Sequence, residues 1–272
     1  MELDKIRKHW DDLSKSFNKD LKSTTKTPTI KKLEIAAISQ NIKILLENND
    51  ISNILEVGCG NGYNLIDLSS QFPFINFTGI DYSEGMIENA NKLKTDFDLK
   101  NTEYHIGDIL KLDINKKLKN CYDMVFTNRC IINLNSIELQ LESLFNLSKK
   151  IRKGGYLLLI ENSINTYGNQ NRLRESLGLE SRIPDAYNLF LDEKKFISYA
   201  TEELNLELIK KMDFSSLHDI MLYVLIPKIN GGKIDYTHPL MDAVTELLMN
   251  IDPSKMESFG NFGQNRLFLF KK

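Results

Sequence analysis

The rhythm of apolar positions changes near residue 50. Before it, Ile6, Trp10, Leu13 and Phe17 recur at helical spacing, and Leu33, Ile35, Ile38, Ile42, Leu45 and Leu46 make a second apolar face. These predict helices, joined by a linker over 24–29 that Pro28 punctuates. Beyond it, short apolar runs alternate with amphipathic stretches. The runs 54–57, 76–80, 103–106, 123–127, 156–160, 205–213 and 266–270 predict strands. The stretches 63–71, 83–95, 136–150 and 192–202 predict helices, with Ser83 as an N-cap and Gly154-Gly155 as the stop signal after the third. Strands alternating with helices of this length imply βαβ units and a parallel sheet covered on both faces. Two segments break the rhythm. Residues 163–190 are polar and too long for a simple connection. Residues 217–250 read as mostly helical, broken at Pro227, Gly231-Gly232 and Pro239. The expected organisation is a helical cap over 1–50 and one α/β domain over 51–272 that carries both insertions.

Composition acts by exclusion. The 272 residues, 42% hydrophobic and 26% charged, suit a globular protein with a real core. A net charge of −2 lacks the basic excess of a nucleic-acid binder, and the lysine-rich start, Lys15 to Lys32, reads as a solvated face. No nucleic-acid partner is expected. The longest apolar runs, such as 156–160, fall far short of the roughly 20 residues that span a bilayer, so no membrane partner is expected. Cys59, Cys121 and Cys130 show no CxxC spacing and no His at ligand spacing, which predicts reduced thiols and no metal. The charged start, Met1-Glu2-Leu3-Asp4-Lys5, has no apolar h-region, and a cytoplasmic protein is expected.

Chemistry collects at strand ends. The first strand runs into Glu56-Val57-Gly58-Cys59-Gly60-Asn61-Gly62 and a helix follows. A glycine loop placed there turns backbone N–H groups and a positive helix N-terminus toward a ligand, and glycine lets that ligand approach closely. Cys59 contributes its backbone. The spacing is G-x-G-x-G with Tyr63 next, so the G-x-G-x-x-G of dinucleotide sites is absent. The second strand ends in Gly79-Ile80-Asp81-Tyr82-Ser83, with Asp81 23 residues after Gly58. An acid there can accept hydrogen bonds from both hydroxyls of a ribose. The third strand ends in Gly107-Asp108-Ile109. Asp108 can take the exocyclic amine of adenine, with Ile109 and Met86 as apolar walls.

In this order, the loop preceded by Glu56, then Asp81, then Asp108, resembles the class I S-adenosylmethionine (SAM) dependent methyltransferases over residues 50–162. The resemblance implies a Rossmann-like α/β fold with a mostly parallel seven-stranded sheet. It implies SAM as cofactor and S-adenosylhomocysteine (SAH) as product, with Glu56 near the amino-acid end. It also places Asn128 and Arg129, in Thr127-Asn128-Arg129-Cys130-Ile131-Ile132-Asn133-Leu134, toward the methyl group and the substrate. That run is not the Asn/Asp-Pro-Pro-aromatic run of base methylation. No acids cluster there as metal-assisted catechol methylation requires.

The acceptor side stays more open. Arg129 is either an ion-paired arginine or a contact to SAM or an anionic substrate. Glu161, at the end of the fifth strand, either orients and deprotonates a substrate hydroxyl or caps a turn. Of the four histidines, His218 is best placed to be a base, against a structural role. In 163–190, Asn171, Arg172, Arg174, Arg182 and Asn188 suggest recognition of an anion, against a solvated charged loop. The first helices can close as a lid, with Trp10 or Phe17 against the cofactor.

The flanking runs are Trp10, Asn128–Leu134 with Gln140, Asn171-x-Leu173-Arg174, Asn188-x-Phe190-Leu191 and Asn261-Phe262-Gly263-Gln264. They resemble methyltransferases of bacterial capsule and O-antigen gene clusters, one branch of which is similar to enzymes of O-methyl phosphoramidate modification. That implies O-methylation of a small anionic, nucleotide-linked acceptor. The alternatives are a sugar O-methyltransferase of surface polysaccharide, a methyltransferase of protein or RNA, and a SAM-binding module without catalysis. The sequence does not indicate an oligomeric state.

Overall fold

The structure is a computed structural model that describes residues 2–251 and 259–272. Its strands are β1 (Asn53–Val57), β2 (Asn76–Asp81), β3 (Thr102–Ile106), β4 (Tyr122–Asn128), β5 (Ile151–Asn162), β6 (Glu207–Asp213) and β7 (Asn265–Lys271). They form one sheet in the order β3-β2-β1-β4-β5-β7-β6. Every pair is parallel except those made by β7, which runs antiparallel to β5 and β6. The order reverses between β1 and β4. Open α/β sheets bind ligands at such a switch point, beyond the carboxyl ends of the strands.

The helices are α1 (Leu3–Phe17), α2 (Pro28–Leu46), α3 (Tyr63–Gln71), α4 (Glu84–Asp96), α5 (Ile137–Lys149), α6 (Ile164–Ser176), α7 (Glu193–Ser198), α8 (Ser216–Ile220), α9 (Ile226–Ile229) and α10 (Leu240–Asn250). Successive residues of a strand face opposite sides of the sheet. Ile54, Met124 and Phe126 therefore pack on one side with Leu33 and Ile38 of α2, Leu65 of α3 and Leu248 of α10. Leu55 and Val125 pack on the other with Leu144 and Leu147 of α5 and Phe196 of α7. Burying each such side chain contributes about 1.5–3 kcal/mol, which makes the central strands a rigid base for the loops above them. Among the described residues, no helix is long and apolar enough to cross a membrane.

The structure revises the reading of several prolines and glycines. Pro28 opens α2 at its first turn, where a missing N–H costs nothing. Pro239 is the N-cap of α10, at the break the sequence predicts between α9 and α10. Gly154-Gly155 is not a helix stop, since α5 already ends at Lys149 and β5 starts at Ile151. The two glycines sit where the register between β4 and β5 shifts, with Gly154 at φ +74°. A Cβ on Gly155 would lie 2.8 Å from the carbonyl oxygen of Asp123.

The polar stretch after β5 opens with a helix, α6, whose N-cap Ser163 accepts from Asn165 N and Thr166 N. The helix across Pro227 is continuous, from α8 through a π turn at Met221–Leu225 into α9. In an α-helix the N–H of residue 227 would reach the carbonyl of Tyr223, and proline has none. Arg174 Nη1 donates to that carbonyl instead.

Helix α1 lies across α4. Ser83 Oγ donates to Asp11 Oδ1 (2.6 Å) and Asn89 Nδ2 donates to Ser14 O (3.0 Å). A Cβ on Gly85 would lie 2.3 Å from Ser14 Oγ, so the close approach of these helices depends on that glycine.

Candidate active site

A cavity of about 750 Å³ lies at the switch point. Its base is the glycine loop. Gly58 N and Cys59 N both donate to Ile80 O, at 2.8 and 2.9 Å. Gly60 N donates to Asp81 Oδ2 and Ser83 N to Asp81 Oδ1, each at 2.9 Å. One carboxylate thus ties the loop to the end of β2. Burial pushes Asp81 up to about 6, against the N–H groups of Ser83 and Gly60 that favour its charged form. Gly58, Cys59, Gly60, Asp81, Tyr82 and Met86 line the cavity. Gly62 does not. It begins α3 at φ +83°, beneath the Tyr104 hydroxyl.

Behind the loop lies a buried charge network. Glu56 accepts from Asn64 Nδ2 (2.5 Å), while its Oε2 has no partner. Burial pushes Glu56 up to about 7, although Asn64 and Lys31 oppose this. Lys31 Nζ donates to Asn64 Oδ1 (3.2 Å) and pairs with Glu34 (3.1 Å). Glu34, 0% exposed, also pairs with Arg129 Nε at 2.9 Å and accepts from Asn128 Nδ2 at 3.0 Å. Burial alone would raise Glu34, but Arg129 and Lys31 together hold its carboxyl below the usual range. Asn128 and Arg129 line the cavity, and Asn128 Oδ1 is buried without a partner. Arg129 has φ +55°, a left-handed conformation that costs a non-glycine residue on the order of 1–3 kcal/mol. Its N–H donates to Ile160 O at 2.7 Å, which anchors the turn.

Several expected site residues are placed elsewhere. Glu161 is fully buried and outside the cavity wall. It accepts from Thr127 Oγ1 (2.7 Å), Cys130 N (3.1 Å), Ile131 N (3.1 Å) and Ile132 N (3.3 Å). The N–H groups of the turn after β4 converge on this carboxylate, so it caps that turn. His218 is also fully buried outside the cavity, between Thr29 Oγ1 and Asp219 Oδ1, each at 2.9 Å. Asp108 caps its own turn by accepting from Leu110 N (2.9 Å), and Ile109 packs into the core with Leu112. Neither lines the cavity. Lys31, assigned to a solvated face, is buried by the network.

The arginine-bearing insertion is also redistributed. Arg172 bonds Asn169 at the surface. Arg174 is buried and donates to the carbonyls of Glu180 and Tyr223. Asn171 bonds the backbone of Arg182. Of these four, only Arg182 lines the cavity, joined there by Asn188. Trp10 and Phe17 of α1 line it too, and so does His9, which no motif marked. His9 stacks on Tyr187 (ring centroids 4.3 Å apart), and Trp10 meets the same ring edge-on at 5.7 Å. This roof joins α1 to the insertion. Lys31, Glu34, Asn64 and His9 were not singled out because they belong to helices whose local pattern carries no site signal.

Known proteins share this architecture. The chain is 31% identical over 133 residues to malonyl-(acyl-carrier protein) O-methyltransferase of Bacillus cereus, covering 49% of this chain and 47% of that one. It spans about half the length of the curated relatives it matches. The N-methyltransferase NodS of Bradyrhizobium japonicum WM9, solved with SAH, superposes with a TM-score of 0.53 at 14% identity, covering 97% and 98% of the two chains. Magnesium protoporphyrin IX methyltransferase of Synechocystis PCC 6803, also with bound SAH, gives 0.56 at 13% identity, covering 90% and 85%. Residues 48–204, more than half of the chain, match the methyltransferase-domain family. With its strand order and its glycine loop at the switch point, the chain belongs to the class I SAM-dependent methyltransferases.

Proposed function

We propose that this enzyme methylates an oxygen of a small anionic acceptor. The acceptor class we favour is a nucleotide-linked phosphoramidate that serves as a precursor for capsular polysaccharide. One observation carries the anionic reading: a single cavity holds the glycine loop on one side and, on another, the Arg182 guanidinium with no carboxylate of the described chain paired to it. The O-methyltransferase relatives support oxygen as the acceptor atom. We place the reaction in the cytoplasm, where SAM is made.

The residues present fit SAM. Asn128 Oδ1, on the cavity wall, is a buried acceptor that lacks a protein donor, as an ammonium group requires, whereas Glu56 is fully buried behind the wall and does not line the cavity. Asp81 suits the ribose hydroxyls, and Trp10, Phe17, Tyr82 and Met86 give apolar surface for the rest. When bound, SAM supplies a sulfonium methyl group, and attack on that carbon by the acceptor oxygen leaves SAH. The chain itself contributes position and orientation, worth about 7–11 kcal/mol of barrier in well-aligned systems. An acceptor oxygen that is already anionic needs no general base. This agrees with a cavity from which Glu161 and His218 are withdrawn.

A pH dependence follows from Asp81. Ribose hydroxyls donate to its ionised form, and in the free protein it titrates at about 6. SAH affinity is therefore expected to hold above pH 6 and to fall about tenfold per pH unit below it. Asp81→Asn should bind weakly with a flat profile across the same range, read by calorimetry. An unchanged slope in that variant would remove Asp81 from the cofactor site.

The acceptor is tested with methyl-labelled SAM and a panel containing a nucleotide-linked phosphoramidate, a nucleotide sugar and malonate. Label on the phosphoramidate oxygen is the expected result. Label on a sugar hydroxyl supports the sugar O-methyltransferase reading. SAH binding without transfer to any member supports a non-catalytic SAM-binding module.

A further inference from the structure

The insertion after β5 spends several polar side chains on holding one arginine. Asn171 brackets the backbone of Arg182: its Oδ1 accepts from Arg182 N and its Nδ2 donates to Arg182 O, both at 2.9 Å. The guanidinium lies on the face of Tyr223, 3.5 Å from the ring centre, with the Tyr167 ring 5.1 Å away. Nη1 donates to Gln170 Oε1 (2.6 Å) and Gln264 Oε1 (3.1 Å). Arg174 helps hold the support, because it donates to the carbonyl of Tyr223 that Pro227 leaves open.

What is missing is a counter-charge. Arg129 has Glu34, Arg152 has Asp123, and Arg266 has Glu193 and Asp213. Arg182 has no carboxylate within 4 Å among the described residues, only neutral amides and aromatic faces. The acid nearby in the cavity wall, Asp185, accepts from the Tyr187 hydroxyl (2.9 Å) instead. With Nη1 occupied, Nε and Nη2 of Arg182 have no hydrogen-bond partner in the described chain. That pair forms the flat edge with which arginine grips two oxygens of a carboxylate or phosphate. A partly buried cation held rigidly, with its bidentate edge unused, is arranged for an anion from outside the chain.

We infer that Arg182 binds the anionic group of the acceptor, through two oxygens of a phosphate or carboxylate, and that Asn171, Gln170 and Gln264 are positioning residues for it. This rests on the reading of the cavity as an acceptor site beside SAM. It assigns the anchoring role to Arg182 rather than to Arg172 or Arg174. Arg129, neutralised by Glu34, shapes the turn next to the cofactor instead.

The test titrates protein saturated with SAH with inorganic pyrophosphate in one arm and malonate in the other. Wild type should bind at least one, and the arm that binds names the anion as phosphate or carboxylate. Arg182→Gln should weaken that anion at least tenfold, and Arg182→Lys should weaken it less because the charge remains without the fork. Asn171→Ala should fall between wild type and Arg182→Gln, with Arg172→Gln unchanged. SAH affinity, expected to be equal in every variant, confirms that each is folded. Binding of neither anion by wild type, or equal anion affinity in wild type and both Arg182 variants, would overturn the assignment. Failure of wild type to bind SAH would instead overturn the methyltransferase reading itself.

Discussion

Gly58→Ala is expected to weaken SAH binding by about 100-fold, or roughly 2.7 kcal/mol. Two independent effects converge. Gly58 has φ +77°, which costs an L-residue roughly 1–2 kcal/mol. The added Cβ would also lie 2.4 Å from Cys130 Sγ and 2.6 Å from Cys130 Cβ, with no flexible side-chain end to yield. Relief of this collision moves the loop or the turn after β4, which holds Arg129 and follows directly on Asn128 at the strand end. A second substitution separates the two effects. Cys130→Gly removes both colliding atoms, so the double variant should regain part of the lost affinity and keep the penalty of the backbone conformation. Calorimetric titration of wild type, both singles and the double gives the coupling directly. Strict additivity would mean that the collision plays no part.

Glu34→Ala should destabilise the fold by about 3–5 kcal/mol, because it strands two cations that share one buried carboxylate. Glu34 is fully buried between Lys31 and Arg129, and no other acid pairs with either within the described residues. Urea denaturation measures the loss. The sign of the pH effect is fixed as well. The folded-state carboxyl titrates below its ordinary value, so its contribution is complete above the ordinary carboxylate range and disappears as pH falls through the lowered value. Adding Lys31→Met to Glu34→Ala removes one stranded cation and should return part of the stability. If the double variant is no more stable than the single, the buried charges are not the cause.

The cofactor half of the site was legible because it is local. The strand, turn and helix around 54–71 are contiguous, and Asp81 ends the next strand, so chain spacing alone sets them side by side. Asp108 obeyed the same positional rule and did not reach the cavity, because its turn uses the carboxylate for its own cap. Position at a strand end likewise suggested Glu161, yet the direction of three backbone N–H groups decided its role. The rest of the cavity wall is built from α1, α2, the insertion, the π turn near Tyr223 and Gln264, which meet only by packing. An arginine count marked the insertion but not which guanidinium faces inward. That depends on the Asn171 bracket and on the carbonyl freed by Pro227, both longer-range features than any motif. Lys31 sits in the lysine-rich stretch, Lys15 to Lys32, whose composition reads as solvated, and burial of Lys31 with Glu34 beside Arg129 inverts the reading.

The most direct test of the central claim is calorimetric titration of the purified protein with SAH at pH 8, in wild type and Asp81→Ala. Hydrogen bonds to a charged group contribute about 1.5–3 kcal/mol each, so one-site binding by wild type and a loss of about 100-fold or more in the variant are predicted. No binding by wild type, or equal binding by the two proteins, would contradict the account.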